Sequence, residues 1–220
     1  MRIFAFMTAP WVNIHTHRPT GLCIELRAAG IHPWKVAASG AGGLGRALDE
    51  LDRELDGAQA VGEIGLDLAC GVPLAQQEEL FRAQLELAER RGLPVVLHCV
   101  RAFEPVMKEL ERHHLRAVIF HGFIGSPEQA RQALAKGYCL SFGERTFASP
   151  KTLAALRETP LSQLFLETDD SPVPIAEIYA RAAEAKGVPE EVLQRAILDN
   201  YKRIFTGGEY EGPGRTKGDK

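Results

Sequence analysis

Cysteine is scarce in this chain of 220 residues, and the four that occur, Cys23, Cys70, Cys99 and Cys139, are widely scattered. There is no C-x-x-C pair and no dense spacing, which excludes a disulfide-stapled scaffold and makes a reducing cytoplasm the simplest setting. Long hydrophobic runs are missing too, and nothing approaches the length of a membrane span. The opening MRIFAFMTAP carries one arginine and an apolar run too brief for a secretory signal. Excess positive charge is also absent: 26 Lys and Arg stand against 29 Asp and Glu, a net charge of -3. No whole-domain basic footprint advertises nucleic acid, although a local basic cleft remains open. These absences predict a soluble cytoplasmic protein with no membrane association and no obligate protein partner.

What is present is ordinary for a globular fold, with 45% apolar and 25% charged residues and enough chain to bury a sizeable core. From about residue 58 onward one theme repeats: a short apolar run, a polar residue at its end, then an amphipathic helix. AQAVGEIGLD precedes a helix predicted from about Leu74 to Arg91, in which Leu80, Phe81, Leu85 and Leu87-Ala88 recur at helical spacing and Gly92 supplies the stop. LPVVLHC (93–99), RAVIFHGF (116–123), YCLSFG (138–143) and QLFLETDD (163–170) read as further strands.

Helices are predicted over AFEPVMKELERHH, after Ser126-Pro127, after Ser149-Pro150, and over about 175–186 and 190–205. Strands alternating with helices imply right-handed β-α-β units and a parallel sheet. No linker or repeat divides the chain, so residues 1–206 are expected to form one domain. The Gly-rich, charged stretch 207–220 is expected to be disordered. Too few residues separate His17 from the apolar run near Cys23 for a parallel crossover, so a hairpin or a lost helix is expected there.

The chemistry concentrates at strand ends. In VNIHTH (12–17), side chains alternate across an extended segment, so His15 and His17 share a face and can reach one ligand. Glu63, His98, His121 and Asp169 fall at comparable positions after apolar runs. In a β/α barrel such positions converge on one mouth. Four imidazoles and two carboxylates meeting there match the ligand set of a two-metal hydrolytic site. Each residue alone has a plainer reading: a satisfied core histidine, a loop acid, or for Asp169 a helix cap. Against those readings stands their shared topological position. His113-His114 is read as the polar end of a helix, without a site role.

Gly40-Ala41-Gly42-Gly43-Leu44-Gly45 matches G-x-G-x-x-G, the fingerprint of a dinucleotide-binding oxidoreductase. That fingerprint needs a preceding strand, and Lys35 to Ala38 is a poor one. A Gly-rich loop leading into a helix is the expected meaning.

Taken in order, NIHTH, GIHPW (30–34), GEIGLD (62–67), Q-x3-F-x3-L-x-LA (77–88), PVVLHC (94–99), HGFIGS (121–126), LSFG (140–143), LETD (166–169) and N-x3-IF (200–205) resemble the TatD family of metal-dependent hydrolases and deoxyribonucleases. The resemblance runs from about Val12 to Phe205. It implies an α/β fold, a single-domain distorted β/α (TIM-like) barrel of the amidohydrolase kind, with two divalent metal ions, Mg, Mn or Zn.

By motif position, His15, His17 and Asp169 are implied as ligands of one metal, His98 and His121 of the other, and Glu63 as a carboxylate between them. The implied activity is hydrolysis of DNA from a 3' end by activated water. Asp169 would move the proton, His32 and Arg101 would hold a terminal phosphate, and Asp67 would orient the site from behind. The same site could serve another ester or amide, such as an aminoacyl-tRNA ester, or bind metal without catalysis.

Three departures from the family pattern stand out. Asn13 replaces the usual Asp, and loss of a charged partner behind the ligands lowers metal affinity roughly 10- to 100-fold. Val100 stands where many members carry Arg, with Arg101 following. The stretch from His17 to Gly30 is short.

Overall fold

The computed structural model describes residues 9–206, without the side chains of residues 37–42. The expectation for 207–220 lies outside the described residues.

Among the described residues, eight parallel strands carry the fold. They are β1 (Val12–Asn13), β2 (Ile24–Glu25), β3 (Ala28–Ala29), β4 (Ala60–Asp67), β5 (Val95–Val100), β6 (Val118–Phe120), β7 (Cys139–Phe142) and β8 (Leu164–Leu166). β3 to β8 form one sheet in sequence order, and β1 pairs with β2. Two joins close the ring. The first is backbone pairing of the β1 extension with β8: Ile14 donates to Leu166, Asp169 to the carbonyl of His15, and His17 to the carbonyl of Asp169. The second is the run 24–29, which pairs with β1 at its start and with β4 at its end, so that one kinked stave serves as β2 and β3. The result is a distorted β/α barrel, as the sequence predicts.

Helices α1 (Gly40–Glu54), α2 (Leu74–Arg91), α3 (Phe103–Leu110), α4 (Pro127–Ala135), α5 (Pro150–Glu158), α6 (Ile175–Lys186) and α7 (Glu190–Phe205) pack outside. α2 has the predicted bounds and ends on Gly92 in the left-handed conformation. Its Leu80, Phe81, Leu85, Leu87 and Ala88 are buried, each large side chain contributing about 1.5–3 kcal/mol. Ser126 closes a capping box with Gln129 at the start of α4, and the Ser149 hydroxyl accepts from the Thr152 N–H at the start of α5.

Four local expectations are corrected. β1 and β2 are parallel, with Val12 opposite Ile24, so the connection is no hairpin. Strands of two residues need only a short return path, and the loop is held by Glu25, whose carboxylate accepts from the N–H groups of Thr20 and Gly21. The glycine-rich stretch is the first turns of α1 rather than a loop before it, and a 3-10 helix over Pro33–Ser39 precedes it where the dinucleotide fingerprint needs a strand. α3 stops at Leu110, and His113 turns inward between Glu89 (3.3 Å) and Glu109 (3.7 Å) instead of ending the helix on a polar face. Glu63 lies inside β4, not at its end, beside a register shift between Val61 and Ile64.

Candidate metal centre

Each residue at the mouth is held from behind. β1 is clamped by Tyr179 of α6, whose hydroxyl donates to the Val12 carbonyl and accepts from the Val12 N–H. α2 contributes two buried amides seven residues apart on one helix face. Gln77 binds both backbone groups of Asp67, and Gln84 binds both backbone groups of Ile31, which fixes the chain just before His32. Gly65 lets β4 meet β5 at His98: its φ is 144°, and a Cβ there would stand 2.0 Å from the His98 carbonyl oxygen.

On this frame Glu63 is the hub. Its Oε1 lies 2.6 Å from His98 Nδ1, 2.6 Å from His121 Nε2 and 3.4 Å from His32 Nε2. Its Oε2 faces the other way, 3.5 Å from His15 Nε2 and 3.6 Å from His17 Nε2. Asp169 completes that side, its Oδ1 3.7 Å from His15 and 3.5 Å from His17. Of the nine residues singled out from the sequence, the structure gathers His15, His17, His32, Glu63, His98, His121 and Asp169 into one cluster. Asp67 stands behind His98, 3.1 Å from its Nε2. Arg101 stays apart on the wall of a cleft of about 780 Å³ that opens beside His98, His121 and Asp169. Arg145 and Lys151 share that wall with Glu144 and Asp170, so the cleft carries cationic groups among acids rather than a uniformly basic lining.

Sequence reasoning missed one residue. Glu167 is fully buried, with Oε1 3.2 Å from His121 Nδ1 and no hydrogen-bond partner for Oε2. The signal was available, since Glu167 sits in the quoted LETD. A residue at the end of a buried strand is easily taken for packing, and its approach to His121 belongs to the folded chain. Asn13 also has a role that the sequence did not show. Its Oδ1 accepts from the Thr168 N–H and its Nδ2 donates to the Thr168 hydroxyl, which in turn donates to Thr16. It stitches β1 to the end of β8 and meets none of the imidazoles.

The electrostatics follow from this crowding. Burial raises the Glu63 carboxyl, but His121, His15, His32 and His98 outweigh it and hold the group far below the usual carboxylate range. Burial opposes the charged form of His121, yet Glu167 and Glu63 push its pKa up to about 10. Burial and the charges of Glu167 and Glu63 push Asp169 upward.

The donor set fits divalent cations. His98 and His121 each face a carboxylate at both ring nitrogens, and a neutral imidazole has one N–H, so it can satisfy one of them. Without a cation, a second proton on His121 meets both of its carboxylates, in line with its raised pKa; a divalent ion between ring and Glu63 would replace that inner proton, leaving the outer one directed to Glu167 or, for His98, to Asp67. His15 Nε2 is buried with no hydrogen-bond partner. Four groups of three ligand atoms lie close enough to hold an ion: His15, His17 and Asp169; His15, Glu63 and His121; His32, Glu63 and His98; His121, Glu167 and Asp169.

A parallel β/α barrel with histidines and carboxylates gathered at its mouth defines a metal-dependent hydrolase. The family described as TatD related DNase matches residues 25–206, and the chain belongs to it. It is 33% identical over 196 residues to the Escherichia coli protein named uncharacterized metal-dependent hydrolase YjjV, covering 81% of this chain and 75% of that one. The crystal structure of the E. coli YjjV protein superposes with a TM-score of 0.75 at 32% identity, covering 83% of this chain and 77% of that chain. The chain is also 30% identical over 207 residues, 82% of its length and 76% of the relative's, to the 3'-5' ssDNA/RNA exonuclease TatD of Dickeya dadantii. No helix among the described residues is long and apolar enough to cross a membrane.

Proposed function

We propose that this hydrolase is a 3'-5' deoxyribonuclease that removes nucleotides from DNA ends, single strands or frayed 3' termini, with a pair of divalent ions, Mg, Mn or Zn. The observation that carries this reading is Glu63, whose two oxygens face two separate imidazole groups, next to a cleft whose wall holds Arg101, Arg145 and Lys151 beside Glu144 and Asp170. The name of the Dickeya relative points the same way. His15, His17 and Asp169 would hold one ion, His98 and His121 the other, and Glu63 would lie between them. When bound, such a pair supplies Lewis-acid neutralisation of phosphoryl oxygens and makes water acidic enough to act as a nucleophile near neutral pH.

The remaining work falls to side chains. Asp169 lines the cleft and is placed to accept the proton of the attacking water and return one to the departing 3'-oxygen. His32 Nδ1 accepts from the Trp34 N–H, so in the neutral ring Nε2 carries the proton and offers it toward the centre, where a phosphate oxygen can take it. Arg101 adds charge from the cleft wall. Asp67 and Glu167 hold His98 and His121 in the orientation that aims a lone pair inward. The four free cysteines accord with a reducing, cytoplasmic location.

The test is digestion of a 5'-labelled single-stranded DNA with Mg or Mn by the wild type and by Glu63→Ala. A ladder shortening from the 3' end that disappears in the variant is the expected result. Intact DNA with folded, metal-loaded wild type would move the reaction to another ester or an amide.

A further inference from the structure

Trp34 is large, aromatic and 61% exposed, an unusual state for an indole beside a buried polar cluster. Its edge is fixed: Nε1 donates to Oδ2 of Asp67 at 2.7 Å. Its ring meets His32 edge-on, with centroids 4.6 Å apart at 81°, and lies 6.0 Å from His98 at 77°. Both imidazoles touch Glu63. The ring is therefore held by its polar edge one imidazole away from the centre, while most of its surface remains open to solvent. Packing does not explain such an indole, because a ring that served the core would be covered.

We infer that Trp34 is a stacking platform for a nucleobase, that of the nucleotide being released, an inference that rests on the nucleic-acid reading above. Two surfaces would then divide the substrate. Arg101, Arg145 and Lys151 in the cleft attract the phosphates of the chain, and Trp34, which does not line that cleft, takes the base lying one sugar away from the phosphate under attack. A base stacked on an aromatic ring gains affinity with little regard for its identity, since every base has a π-face. The Asp67 contact spares the ring the entropy of being ordered on binding. Trp34 thus selects for a base-bearing terminus, while the metal centre and His32 act on the phosphate.

The test compares dAMP with 2-deoxyribose 5-phosphate, which share sugar and phosphate and differ by the base, as ligands of the metal-loaded enzyme in calorimetric titrations. Wild type is expected to prefer dAMP by roughly 5- to 150-fold, the range of one aromatic–base stack. Trp34→Ala is expected to lose that preference, and Trp34→Phe, which keeps a ring but not the N–H to Asp67, to keep most of it. Quenching of indole fluorescence by dAMP in the wild type, but not in Trp34→Phe, is the accompanying signature. Equal binding of the two ligands by an enzyme that does cleave DNA would overturn the stacking role alone. Loss of the preference in both variants would overturn it in favour of a positioning role through Asp67. Failure to bind either ligand, with DNA left uncut, would overturn the nucleic-acid reading and this inference with it.

Discussion

Glu167 Oε1 lies 3.2 Å from Nδ1 of His121, and on the other side of that ring Nε2 lies 2.6 Å from Glu63. The same relation recurs one strand away, where Asp67 backs His98. Two buried carboxylates, Asp67 at the end of β4 and Glu167 after β8, thus set the direction of two imidazoles, one in β5 and one just after the adjacent strand β6. Glu167→Ala is expected to lower divalent-metal affinity roughly 10- to 100-fold, measured by calorimetric titration of Mn or Zn. Affinity equal to wild type would show that Glu167 only fills space.

Asn13 is expected to matter through the chain rather than through charge. Asn13→Ala leaves the Thr168 N–H without its acceptor in a partly buried setting, at a cost of about 1 kcal/mol in urea unfolding. Because Thr168 precedes Asp169, metal affinity on the His15 and His17 side should fall with it. An unfolding midpoint equal to wild type would contradict this role. The sequence reading treated the replacement of Asp by Asn as loss of a charge behind the histidines, whereas the histidines that have such partners draw them from Asp67 and Glu167.

A pH effect is expected well away from the centre. Arg82, bonded to Glu109 at 2.7 Å, holds that carboxyl below the usual range against the opposing effect of burial, and the charges of Arg82 and Arg112 add to it. A carboxyl with a depressed folded pKa contributes stability above its unfolded pKa, about 4.3, and loses it as pH falls through the folded value. Arg82 is 45% exposed, so solvent screens the pair and the contribution is discounted to about 1 kcal/mol. Glu109→Gln is expected to be less stable than wild type by about that amount at neutral pH, and the gap should shrink as the pH is taken below the unfolded carboxyl value of about 4.3. A gap of constant size in urea titrations at neutral pH and below that value would contradict the assignment.

The repeating part of the fold was legible because its signals are local. Apolar runs, Ser-Pro starts and Gly stops mark α2, α4, α5, α6 and α7 without help from distant residues. The N-terminal third was harder to read, since β1, β2 and β3 are two residues each and exist only through pairing with β4 and β8. The same limit applies to the site. The imidazoles and Glu63 follow apolar runs and stand out, whereas Gln77, Gln84, Asn13 and Glu167 act by bonds to residues far along the chain, and no periodicity encodes those bonds. Trp34 was in view within GIHPW, but its open face and its tie to Asp67 belong to the folded chain.

The central claim is that Glu63 joins two halves of one metal centre, and counting bound metal tests it most directly. Wild type and Glu63→Gln would be stripped of metal, titrated with Mn and read by calorimetry and elemental analysis. The account predicts two ions per wild-type chain and loss of at least one in a variant that remains folded by circular dichroism. Two ions bound by Glu63→Gln with wild-type affinity would contradict it.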